Sequence, residues 1–152
     1  MGFTGSFAPV TTLFATQSYL DRSSIRLFTQ THPEVRAVAV VSTGREVLQL
    51  LQNGLNPQVI VLDMLLRDPG IQTLICEIRA MQLMPKPRLL LTAPTPEQTS
   101  AEDALLTFRG QEVILRPYEM RTLFERVYLL GAGDEAAQLY RVRNQCRRVL
   151  GG

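Results

Sequence analysis

The chain has no tryptophan, one histidine, one lysine and only two cysteines among its 152 residues. Each scarcity excludes something. Cys76 and Cys146 stand far apart, with no Cys-x-x-Cys spacing and no histidine beside either, which removes a disulfide framework and a zinc site and predicts two reduced, packed thiols. No apolar run approaches the roughly 20 residues that a bilayer-crossing helix needs. The opening MGFTGSFAPV lacks the basic flank and continuous apolar stretch of a secretory signal, so a cytoplasmic protein is expected. Basic charge comes from fifteen arginines against the single Lys86, and the net charge is +2. Residues 134 to 152 set Arg141, Arg143, Arg147 and Arg148 against Asp134 and Glu135, so the tail carries that whole excess. The neutral body before it has no basic stripe of the kind that tracks nucleic acid.

What is present is apolar material in short pieces. At 45% apolar the chain can bury one sizeable core and is short for two. Strand-length runs fall at 12–15, 37–41, 59–62, 88–92 and 112–115. Helical spacing lies between them: Val47, Leu48, Leu50 and Leu51 with a stop at Gly54; then Leu74, Ile75 and Ile78; then Ala104, Leu105 and Phe108 ending at Gly110; then Leu123, Phe124, Val127 and Leu130. Strand and helix thus alternate, and a parallel connection crosses over most economically by a helix. VIVLD, apolar up to its last residue, suits a central strand buried on both faces.

The predicted fold is α/β: a doubly wound, five-stranded parallel sheet flanked by helices, with an extra C-terminal helix. Residues 1–10 form a tail, 11–131 the domain, and 132–152 a linker and helix, which is also readable as the start of a further effector region. That last helix is expected to pack an apolar stripe of Leu139, Val142, Cys146, Val149 and Leu150. In such a sheet chemistry gathers at the carboxyl ends of the strands. LFATQSY after the first strand contains no glycine-rich phosphate loop, which argues against a nucleotide ligand.

The stretches STGREVLQLLQNGLNPQVIVLDMLLRDPG, PRLLLTA and VILRPYEM resemble, in order, the receiver domains of bacterial two-component response regulators, over about residues 11 to 131. Within that family the sequence is most similar to the receiver half of the stage zero sporulation master regulators, which share the glycine-anchored second helix and the basic-Pro-aromatic-acidic-Met turn. The resemblance implies a receiver, flavodoxin-like sheet. It puts Asp63 at the phosphoacceptor position and Thr92 and Arg116 at the phosphate-contact positions. Thr16 and Gln17 take the places of two acidic magnesium ligands, and Val113 that of the switch aromatic. Arg67 replaces the usual proline past the aspartate, and the Asp-Gly pair after it is reduced to Gly70.

These departures bear on the chemistry that the resemblance implies. Phosphoryl transfer to a carboxylate brings anions together, and magnesium neutralises the developing charge. A hard dication wants oxygen ligands, carboxylates above all; the family supplies three and this sequence one. Asp68 and Asp21 are the acids that could compensate, although a turn residue before Pro69 and a helix cap are their ordinary roles. Arginine is a planar fork where lysine is a point charge, so the expectation is that Asp63 pairs directly with Arg116.

The function expected is a pseudo-receiver in signal transduction, not an enzyme and needing no cofactor. It would act by homodimerisation or docking of a protein partner through the fourth helix, fifth strand and fifth helix, with Leu105, Arg109, Tyr118, Leu123 and Arg126 as interface candidates. The alternative is a working, magnesium-dependent phosphoacceptor of a phosphorelay controlling a DNA-binding transcription regulator. DNA contact is expected only through a region beyond residue 152.

Overall fold

The structure, a computed structural model, describes residues 8–93 and 112–151. The helical stretch expected around Ala104, Leu105 and Phe108, and with it Leu105 and Arg109, lies outside the described residues. Five strands run at Val10–Ala15 (β1), Val35–Val41 (β2), Val59–Asp63 (β3), Arg88–Ala93 (β4) and Glu112–Leu115 (β5). The helices are Tyr19–Thr29 (α1), Gly44–Gln52 (α2), Ile71–Ala80 (α3), Met120–Gly131 (α4) and Asp134–Gly151 (α5).

All strand pairs are parallel and the order across the sheet is β2-β1-β3-β4-β5. The chain first winds outward from β1 to β2, then crosses back over β1 to lay down β3. That reversal opens a crevice at the carboxyl ends of β1 and β3, the place where doubly wound sheets put their working residues. All five residues of β3 are buried, as a strand covered on both faces requires.

Two cores result. One face is aliphatic, with Leu13, Ile60, Leu62 and Leu91 of the sheet against Val47 and Leu51 of α2 and Leu74, Ile75 and Ile78 of α3. The other carries the rings, with Phe14, Val61 and Leu90 against Ile25 of α1, Leu123, Phe124 and Tyr128 of α4, and Tyr140 of α5. Phe124 stacks on Phe14 at 5.6 Å between ring centroids and meets Phe28 edge-on at 4.7 Å.

α2 starts by reciprocal capping. Thr43 Oγ1 accepts from the Glu46 N–H at 3.2 Å, while Glu46 Oε1 accepts from the Ser42 N–H at 3.2 Å and from the Ser42 hydroxyl at 3.0 Å. The helix stops where the sequence places its end: Gly54 has φ +101, a backbone that glycine adopts without steric cost. At the other end of α2 a Cβ on Gly44 would lie 2.8 Å from the Pro69 carbonyl oxygen. Only glycine lets α2 approach the loop after β3 this closely.

Three expectations are corrected. The linker expected from residue 132 is only Ala132 and Gly133, since Gly131 ends α4 and α5 begins at Asp134; a Cβ on Gly131 would collide with the Val10 and Val59 side chains. In α5 the described part of the predicted apolar stripe faces outward, with Leu139 51% and Val142 52% exposed and Cys146 exposed, while Ala137 and Tyr140 are buried; the side chains of Val149 and Leu150 lie outside the described residues. Tyr140 packs its ring 4.5 Å from that of Tyr128, and this ring contact marks the side that docks. Cys76 is exposed as well, so neither thiol has the packing role expected of it.

Candidate functional site

The register aligns four strand ends. Ala15 pairs with Leu62, Asp63 with Thr92, and Ala93 with Leu115, so Thr16, Asp63, Thr92 and Arg116 follow one another across the top of the sheet. The Arg116 N–H donates to the Ala93 carbonyl at 3.1 Å, extending β5 by one bond to the arginine itself. Four of the positions singled out in the sequence are thereby brought together.

Asp63 is 3% exposed and is held by neutral donors. Its Oδ2 accepts from the Thr16 hydroxyl at 2.9 Å and its Oδ1 from the Leu65 N–H at 3.0 Å. Thr16, also buried, is fixed in turn: its hydroxyl oxygen accepts from the Ser18 N–H at 3.2 Å and its carbonyl from Arg22 Nη1 at 2.9 Å. Gln17 is exposed.

The expected Asp63–Arg116 pair does not form. Arg116 Nη2 instead donates to Asp21 Oδ2, from the first turn of α1. Nor is Asp21 the helix cap: Ser18 takes that position, its hydroxyl accepting from the Asp21 N–H at 3.2 Å. Burial works to lower the pKa of the Arg116 guanidinium, but the hydrogen bond to Asp21, the charges of Tyr118 and Asp21 and the nearby charge of Asp63 outweigh it and raise the pKa.

Tyr118 completes the outer part of the site. Its ring lies under the guanidinium, 5.3 Å from centroid to carbon, and it borders the same small cavity as the buried Thr92. Burial raises the Tyr118 pKa, with Arg116 pulling the other way. A cavity of about 10 Å³ remains between Phe14, Thr16, Asp21, Thr92, Arg116 and Tyr118, room for about one water molecule.

The other compensating acid is equally committed. Asp68, in left-handed backbone at φ 58, pairs with Arg45 at 3.0 Å, and its carbonyl accepts from the Arg45 N–H. It is drawn to the start of α2, away from Asp63. Among the described residues no three His, Cys, Asp or Glu side chains are grouped as metal ligands. One carboxylate whose oxygens already hold a hydroxyl and an amide does not fit a magnesium ion, which favours several anionic oxygens.

Val113 is half-buried and packs against the aliphatic core. Of the interface candidates described, Leu123 is corrected to core at 1% exposure, because the helical stripe that marks α4 is also the stripe that buries it. Arg126 is at the surface, paired with Glu112 at 2.9 Å. Leu115, 56% exposed beside Arg116, is not singled out by the sequence, where its place in an apolar strand run suggests burial. For Tyr118 the sequence suggests an interface, and nothing in its spacing signals the contact of its ring with the Arg116 guanidinium.

No protein-family model matches the chain. Solved structures do. A receiver domain of the Francisella response regulator 1452 is 19% identical with a TM-score of 0.62, over 80% of this chain and 95% of that one. A response regulator from Chloroflexus aurantiacus is 21% identical at 0.63, over 83% and 100%. A chain in the co-crystal of the Saccharomyces cerevisiae histidine phosphotransfer protein Ypd1 with the receiver domain of the response regulator Ssk1 is 14% identical at 0.65, over 82% and 90%. At such identities the likeness establishes the receiver fold.

Proposed function

We propose that this chain is a signal-transduction receiver module of the sporulation-regulator branch that works in the cytoplasm by contact, without magnesium-dependent phosphorylation and without enzymatic turnover. The observation that supports this best is the state of Asp63. It is the one carboxylate at the switch point, it is satisfied by neutral donors, and the cation beside it is held by Asp21. Phosphoryl transfer needs a cation placed on the developing charge, and here Arg116 and Arg45 are paired with Asp21 and Asp68.

Contact is proposed through the edge formed by β5 and α4, to a second copy or a protein partner, as the co-crystallised receiver of Ssk1 meets Ypd1. This edge offers an exposed apolar residue, Leu115, beside the Arg126–Glu112 pair, a mixture of the kind found at modest interfaces. Incubation with magnesium and a small acyl phosphate, and then intact-mass measurement, is expected to leave the mass unchanged. A gain of about 80 Da mapped to Asp63 would establish the phosphoacceptor reading in its place.

A further inference from the structure

A single hydrogen-bonded path joins the centre of the sheet to its edge. Asp63 Oδ2 accepts from Thr16 Oγ1 at 2.9 Å. That same hydroxyl oxygen accepts from the Ser18 N–H at 3.2 Å, the Ser18 hydroxyl accepts from the Asp21 N–H at 3.2 Å, and Asp21 holds Arg116. Asp63 ends β3 and Arg116 extends β5, with only the end of β4 between them, so two carboxylates border one guanidinium and Asp21 has it.

We infer that the Thr16 hydroxyl is the positioning group that decides which of the two carboxylates, Asp21 or Asp63, holds Arg116. A hydroxyl has one proton to give and lone pairs to receive with, and Thr16 uses both. The proton satisfies the buried Asp63 oxygen without a cation. The lone pair anchors Ser18, the cap of α1, and so brings Asp21 within reach of β5. Loss of the hydroxyl acts twice in the same direction: Asp63 is left with a desolvated, unpaired oxygen, which is costly, and the first turn of α1 loses the hold that presents Asp21. Arg116 then moves inward.

Arg116 is thus a two-position side chain, and its outer position ties the loop after β5 to the start of α1. Any event that changes the demand of Asp63 for donors is passed to the two elements bordering the proposed contact edge. The consequence for signalling rests on the proposed contact function; the geometry does not.

Double-mutant cycles on folding test it. In the native background Asp21→Asn with Arg116→Gln is expected to show a coupling of about tenfold in the folding equilibrium constant, and Asp63→Asn with Arg116→Gln almost none. In a Thr16→Val background the two couplings exchange; in Thr16→Ser, which keeps the hydroxyl, they stay as in the native chain. An Asp21–Arg116 coupling that persists undiminished in Thr16→Val overturns the inference. Should Thr16→Val fold poorly, the Arg116 Nε–Hε resonance gives the same decision: it shifts in Thr16→Ala and not in Thr16→Ser, and equal behaviour of the two overturns the inference. Phosphate uptake by the native chain with the cycles as expected would remove the contact reading alone.

Discussion

The two faces of the sheet are built from different materials. Under α2 and α3 the core is leucine, isoleucine and valine, whose attraction is non-directional and tolerant of volume-conserving exchange. Under α1, α4 and α5 it is ordered around rings: Phe14, Phe28, Phe124, Tyr128 and Tyr140 in pairwise contact. Ring pairs prefer particular offsets and angles, so this face fixes orientation as well as proximity. It also carries Asp21 on α1 and, through α4, the loop that holds Arg116 and Tyr118. The aliphatic face holds the chain together; the aromatic face sets the outer half of the site.

The largest effect that could break this contrast comes from Phe124, which touches both Phe14 and Phe28. Phe124→Ala is expected to cost about 3–5 kcal/mol and Leu74→Ala, at an equally buried aliphatic position, about 2–5 kcal/mol. Urea titration measures both. The contrast lies in the local response: Phe124→Ala loosens α1 against α4 and moves the Arg116 Nε–Hε resonance, whereas Leu74→Ala leaves that resonance in place. Equal displacement by the two variants would mean that the faces do not divide the labour as described.

The aliphatic face is the more legible of the two in the sequence. Every strand can be located within two residues of its observed bounds, because a central strand such as VIVLD has an unambiguous pattern when both sides are buried. α2 is legible almost to the residue, since its caps are local chemistry. The sequence misleads where two candidate partners share a period. In α5 one side offers Leu139, Val142 and Cys146 and another Ala137 and Tyr140; only the position of Tyr128 decides between them. At the site, the family resemblance puts Asp63, Thr92 and Arg116 at the working strand ends, and the register sets those ends side by side. It does not say that the arginine reaches past Asp63 to Asp21, because that depends on the Ser18 cap turning α1 toward β5.

A smaller effect tests whether α5 belongs to the aromatic face at all. The Tyr128 and Tyr140 rings lie 4.5 Å apart, and a double-mutant cycle with Tyr128→Leu and Tyr140→Leu is expected to give about 0.5–1.5 kcal/mol of coupling beyond area burial. A coupling near zero would detach α5 from the fold. Leu139→Ser, on the outward side of the same helix, is expected to change stability by no more than about 0.5 kcal/mol.

The smallest effect separates the faces by pH. Tyr128 and Tyr140 have their pKa values raised, chiefly by burial, and so does Tyr118 despite the opposing charge of Arg116. An unfolded tyrosine ionises near about 10. Below that pH both states are neutral and the stabilisation is whole; above it the unfolded chain gives up protons first, and stability falls until the folded values are passed. On the aliphatic face Glu46 behaves oppositely. Burial would raise its pKa, yet hydrogen bonds from Ser42 and Thr43 bring it below 4.5. Its contribution is therefore present above that value and is lost as the pH falls through the folded one. Glu46→Gln should flatten the acid limb of a stability–pH curve and leave the alkaline limb alone, and Tyr140→Phe should do the reverse. A substitution that alters both limbs would show the two cores coupled through the sheet, which only a rigid β3 shared by both faces could transmit.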